Sequence, residues 1–199
     1  MGQATEQGLA PFRIHRYPAA LIDRVMLADG RYALVRPVLP QDDALQQRFV
    51  RELSPTSRYR RFHSALSELS DAALAYLTQV DYRWHLALLA ETFDDDGNER
   101  QVAEARYVRR SEPGEMHVAD FAIAVADGWQ GQGLGARLLT VLADSALRAG
   151  LQRLEGSVMA DNEPMRALIS GRGGRLRADP DDARLLVATL ELAPPARPC

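Results

Sequence analysis

The chain has 199 residues, 46% apolar and 26% charged, with a net charge of −3. That is one ordinary domain's length, with enough apolar content to bury a core unaided and too little charge for wholesale disorder. All 24 basic residues are arginine. With no lysine, P-loop NTPase, protein kinase and Schiff-base chemistry are excluded, and the slight acid excess gives no basic surface for nucleic acid.

The only cysteine is Cys199, so no internal disulfide or zinc cluster is available. His15, His63, His85 and His117 show no metal-ligand spacing, and no metal is expected. No apolar run is long enough to span a membrane, the first 18 residues have no secretory apolar region, and residue 6 is Glu where a myristoylation signal wants Ser or Thr. These features fit a cytoplasmic protein that binds neither membrane nor nucleic acid.

Residues 1–20 read as a flexible arm. Arg24–Leu27 and Arg31–Arg36 flank Ala28-Asp29-Gly30, a hairpin signal. Asp42 and Asp43 are suited to capping a helix through Leu45, Phe49, Val50 and Leu53, which Ser54-Pro55 breaks. The basic stretch Arg58-Tyr59-Arg60-Arg61 reads as a solvated helix face, with a grip on a phosphate or a partner as the alternative. Ser70-Asp71 caps a helix carrying Leu74 and Leu77.

Three strands follow, His85–Ala90, Val102–Val108 and Met116–Val125, joined by short turns that imply antiparallel neighbours. Gln130-Gly131-Gln132-Gly133-Leu134-Gly135 then opens a helix of about 14 residues that ends at Gly150. Arg153–Met159 is a strand, Asn162-Glu163-Pro164 opens a helix, and Leu185–Leu192 is the last strand. Residues 193–199 read as a loose, proline-rich tail. Trp84 and Trp129 are expected to pack rather than to cage a substrate.

A strand, a glycine turn and a helix N-terminus make an anion site: free amides and the helix dipole face the ligand, and glycine keeps Cβ atoms out of the way. The ligand class is phosphate or pyrophosphate. Gly131-x-Gly133-x-x-Ala136 formally fits the dinucleotide fingerprint for NAD or FAD. Its context does not: four residues separate strand from glycine, and antiparallel strands precede it. A turn with no ligand is the remaining reading.

Gln130-Gly131-Gln132-Gly133-Leu134-Gly135, with Asp127-Gly128-Trp129 leading in and a long helix, a strand and Asn162 after it, resembles the Q/R-x-x-G-x-G/A signature of the GNAT superfamily of CoA-dependent N-acetyltransferases. The resemblance covers about residues 24–192. Leu53-Ser-Pro-Thr-Ser-Arg-Tyr-Arg-Arg-Phe62 and Val80-Asp81-Tyr82 look like the bacterial protein-lysine acetyltransferase branch.

The resemblance implies an α/β (α+β) fold: a mixed, mostly antiparallel sheet of about six or seven strands with helices on both faces. Residues 21–192 would then be one N-acetyltransferase domain. It implies that Ile123, Ala124 and Val125 pair with the pantetheine arm of acetyl-CoA, and that Gln130, Gly131, Gln132, Gly133, Leu134, Gly135 and Ala136 hold the pyrophosphate. Asn162 matches the family asparagine near the cosubstrate, or simply caps its helix. The branch uses a glutamate just ahead of the cosubstrate strand, and Asp120 stands there, one methylene shorter. An alkylammonium is neutral in only about one molecule in a few thousand at pH 7, so a base is needed. Asp120 is either that base, acting directly or through water, or an exposed edge acid. Many members carry a tyrosine acid seven residues after the asparagine; here that residue is Ile169, and the branch commonly lacks the tyrosine as well. The expected acceptor is a small-molecule amine or a protein lysine, and a homodimer is allowed. A catalytically idle CoA-binding sensor is the alternative, since a sensor needs the loop but no base.

Overall fold

The computed structural model describes residues 16–94 and 96–192. The tail, Cys199 and residues 1–15 of the expected arm lie outside them. Arg16 to Ala20 do not behave as a loose arm: the Tyr17 hydroxyl donates to Pro37 O at 3.2 Å, and its ring packs edge-on against Tyr82.

The strands are β1 (Asp23–Met26), β2 (Tyr32–Pro37), β3 (His85–Phe93), β4 (Glu99–Arg109), β5 (Val118–Val125), β6 (Arg153–Met159), β7 (Arg175–Ala178) and β8 (Leu185–Glu191). They form one sheet in the order β1-β2-β3-β4-β5-β6-β8-β7, antiparallel throughout except where β5 meets β6. The architecture is the expected one, with eight strands instead of six or seven. The unforeseen strand is β7, an edge of only four residues, Arg-Leu-Arg-Ala, with one apolar side chain long enough to mark a face.

Helices cover both faces because β5 alternates. Ala119 and Phe121 face α4 (Leu134–Arg148), whose Leu134, Leu138, Leu139 and Leu142 are at most 1% exposed. Each such leucine contributes roughly 1.5–3 kcal/mol of burial. Ala124 faces the other way, onto Phe49 and Val50 of α1 (Asp43–Glu52) and Leu77 of α3 (Asp71–Thr78). α5 (Glu163–Gly171) follows β6 and buries Ile169 in the first core.

Asp42 does not cap α1. Its buried carboxylate takes Arg36 Nη1 and Nη2 at 2.7 and 2.9 Å and the Leu39 amide at 2.7 Å. Arg36 also meets Glu91 at 2.8 Å. This ties the loop before α1 to β2 and β3, which an acid read only by its place in a capping pattern does not disclose.

Ser54-Pro55 ends one helix and starts another, α2 (Pro55–Phe62). The Ser54 hydroxyl accepts the Ser57 amide at 3.1 Å and proline takes the first turn. Both are helix-start signals.

Candidate active site

The parallel strands β5 and β6 pair over only three rungs, Val118–Arg153, Ala119–Leu154 and Asp120–Glu155. Beyond Asp120 they part, while β5 stays paired to β4 as far as Val125. The Ala126 amide donates to Val102 O, so strand alternation turns Ala122 and Ala124 backbone groups toward β4. Those of Ile123 and Val125 turn into the split, where Gln130 Nε2 takes Val125 O at 3.0 Å. Gly156 sits where the strands separate; a Cβ there would lie 2.8 Å from Phe121 O, so only glycine permits this approach.

A cavity of about 410 Å³ fills the split. Ile123, Ala124, Val125, Gln130, Gly131, Gly133, Gly135, Ala136 and Asn162 line it, together with Trp129, Met165 and Leu168. Two expected residues are absent from the lining. Leu134 buries its side chain in the core and offers only its amide, and Gln132 turns its carbonyl to the Ala28 amide. Gly133, at φ 87°, precedes α4 and supplies no side-chain cap. The first helical hydrogen bond is Arg137 N–H to Gly133 O. Among the described residues, no protein acceptor takes the six consecutive amides from Gly131 to Ala136. With the dipole of a four-turn helix behind them, these donors suit a phosphate or pyrophosphate.

Asn162 fits both readings left open for it: Oδ1 accepts the Met165 amide at 3.3 Å, and the residue lines the cavity. Trp129 packs under the Arg31 guanidinium, 3.8 Å from its ring centroid, and forms part of the wall. Trp84 lies at the surface near Arg109.

The basic stretch is not a solvated face throughout. α2 buries no residue, yet it bridges the split with polar contacts. At its start, Asp127 accepts the Ser54 amide (3.0 Å), the Ser54 hydroxyl (2.8 Å) and the Ser57 hydroxyl (2.7 Å). Burial works against the Asp127 charge, but these bonds outweigh it and hold its pKa below the usual value. At its end, Arg60 donates to Asp161 O at 3.1 Å, and Arg61 Nε meets Glu104 Oε1 at 2.6 Å. Arg60 and Arg61 both line the cavity. They also line a smaller one of about 40 Å³ with Phe121, Ala122, Gly156 and Ser157, at the end nearer the apex.

Beneath α2 lies a buried charged cluster on β4. Glu104 is fully buried between Arg61 and Arg106 (2.6 and 2.7 Å), and Gln46 Nε2 donates to it at 3.2 Å. Desolvation opposes its charge, but the two guanidiniums win and take its pKa down to about 2. Arg106 Nη1 lies 3.1 Å from His85 Nε2. Burial first, then Arg106, hold the imidazole pKa down to about 4, so Nε2 accepts this hydrogen bond.

Asp120 sits on the last joined rung, opposite Glu155, on the same strand face as Ala122 and Ala124. It is exposed and lies outside both linings, about 7 Å along the strand from Ala122. Arg110 Nε and Nη2 both bond Oδ1, at 3.1 and 2.7 Å; no described residue bonds Oδ2. Ile169 is fully buried, and no tyrosine, cysteine or histidine is among the described lining residues.

Among the described residues no helix is long and apolar enough to cross a membrane, and no cluster of three metal-ligating side chains occurs.

The Acetyltransferase (GNAT) family model matches residues 50–173. An acetyltransferase of Pseudomonas aeruginosa is 35% identical over 166 residues, 83% of this chain and 87% of that protein. Acetyltransferase Pat of Mycolicibacterium smegmatis is 34% identical over 149 residues; the match spans 75% of this chain and only 43% of Pat. The GNAT domain of S. lividans PAT superposes with a TM-score of 0.79 at 26% identity, over 89% of this chain and all of that one. The Salmonella typhimurium protein yncA, solved with its cofactor acetyl-CoA, shares the fold at TM-score 0.63 and 19% identity, over 84% of this chain and 98% of that one. The split sheet, the uncapped glycine turn and these relatives agree: the chain belongs to the GNAT family and is an acetyl-CoA-dependent N-acetyltransferase.

Proposed function

We propose that the chain moves the acetyl group of acetyl-CoA onto a primary amine, in a small molecule or a protein lysine, by direct attack with Asp120 as base. Residues 21–192 act as one catalytic domain. The observation that carries this reading is the split between β5 and β6, which runs from six free amides at one end to Asp120 at its apex.

The amides of Gly131 to Ala136 hold the pyrophosphate, and the edge of Ile123 and Val125, where Gln130 Nε2 already bonds Val125 O, takes the pantetheine amides as an added strand would. Asn162, Met165 and Leu168 close the opposite wall. This directs the thioester toward the apex. Asp120 is too far from the cavity for direct contact, so a water on Oδ2 relays the proton. The ammonium gives that proton up, its nitrogen bonds the thioester carbon, the C–S bond breaks, and the departing thiolate takes the second nitrogen proton to leave as the thiol. A thiol of ordinary pKa near 8.5 leaves without a strong acid, which fits a lining with no tyrosine among the described residues.

The experiment is turnover of acetyl-CoA by the full chain with a panel of primary amines, read as N-acetyl product by mass spectrometry. Amide formation that depends on both substrates is expected. CoA binding without product from any amine would favour a CoA-binding sensor.

A further inference from the structure

We infer that Arg60 and Arg61 form a carboxylate subsite at the acyl end of the cleft, so that the preferred acceptor amine carries a carboxylate. This rests on the reading of the split as the acetyl-CoA site and deepens it.

The two arginines occur in the linings of both cavities, where the large one gives way to the small one at the apex end. No described residue lining either cavity is acidic. A polyamine would meet two guanidiniums and no counter-charge there; an amine with a carboxylate would meet matching charge. The guanidiniums are also held in place. Arg61 is clamped through Nε to the buried Glu104, and its Nη groups make no hydrogen bond to described residues. Arg60 has one Nη2 bond, to Asp161 O, and a loose ion pair with the exposed Asp161 carboxylate at 3.6 Å, and its Nη1 makes no hydrogen bond to described residues. Donors fixed in place with unspent valence are preorganised for a carboxylate fork.

The carboxylate has two chemical sources, the acceptor or the acyl chain of the donor. The small cavity favours the acceptor, because about 40 Å³ admits an acetyl-sized group and little more.

The test uses the full chain loaded with CoA. Calorimetry compares 6-acetamidohexanoate, a product bearing a carboxylate, with its carboxamide; turnover compares 6-aminohexanoate with its carboxamide. Arg60 is the residue to change, since its partner is exposed, whereas losing Arg61 strands Glu104 in the core. The subsite predicts about tenfold or greater preference for the carboxylate in binding and in kcat/KM. It predicts that Arg60→Gln cuts both ratios severalfold, with Arg61 supplying what preference is left. Asp161→Asn, which removes the competing carboxylate, should tighten binding of the carboxylate ligand. Equal binding of the two products by the wild type, or a preference undiminished in Arg60→Gln, overturns the subsite. So does a loss of CoA affinity in Arg60→Gln with the ratio intact, which assigns the arginine to the cosubstrate. Succinyl-CoA outcompeting acetyl-CoA in an Arg60-dependent manner overturns the acceptor as the source. Selective carboxylate binding without turnover of either amine supports the subsite while counting against N-acetyl transfer, so the two failures are distinct.

Discussion

Arg110 Nη2 lies 2.7 Å from Asp120 Oδ1 at the apex of the split sheet, and the same nitrogen lies 2.8 Å from Glu155 Oε2. One guanidinium therefore fastens the last rung that joins β5 to β6 and fixes the proposed base. Arg110→Ala is expected to free the Asp120 side chain and lower kcat about tenfold, with little change in CoA affinity. Steady-state kinetics and calorimetry on the one variant separate the two quantities.

CoA should stabilise the protein and NADH should not. A ligand of the native state at about 100 times its Kd adds about 2.7 kcal/mol, or about 5–10 °C in Tm for a chain of this size. Thermal denaturation with each nucleotide checks it; stabilisation by NADH alone would return the glycine turn to the dinucleotide reading.

Gly133→Asp should abolish CoA binding while the domain stays folded. Nothing lies within 4 Å of a Cβ built there, and aspartate tolerates the left-handed backbone better than most residues. Its carboxylate would oppose the pyrophosphate. Gly133→Asn, with the same shape and no charge, should keep more affinity, and calorimetry of the pair isolates the electrostatic part.

Stability should fall in acid in two stages. His85 is neutral in the folded protein, with its pKa depressed to about 4, whereas the unfolded chain binds a proton near pH 6.5. Acidification from 6.5 toward 4 therefore favours unfolding, by at most about 1.4 kcal/mol per pH unit from this group. Glu104 adds a second loss as pH falls from about 4.5 through about 2, because its charged form is the folded one. Urea denaturation of wild type and His85→Gln across pH 4–7 measures the first stage, which the variant should show reduced to the part left by His63, whose pKa burial also lowers.

The strand–turn–helix at residues 118–148 was legible because its signals are local: alternation, the alternate glycines Gly131, Gly133 and Gly135, and a leucine stripe, all within 31 residues. Glu104 and Arg61 were not. A glutamate inside an apolar strand does not announce its partner 43 residues away. The role of Arg60 depends on α2 lying across the split, although Ser54-Pro55 did carry a readable helix start. Gly156 shows the same limit, since only the approach of Phe121 O makes that position intolerant of a Cβ.

The split is proposed to deliver the thioester to Asp120. Its most direct test is the pH dependence of kcat for Asp120→Asn with a turning-over primary amine, alongside CoA affinity. With Asp120 as base, kcat should fall about 10²–10⁴-fold near neutrality and recover in part at high pH, where more amine is already neutral, while CoA binding stays unchanged. Wild-type rates with the wild-type pH profile in the asparagine variant would contradict it.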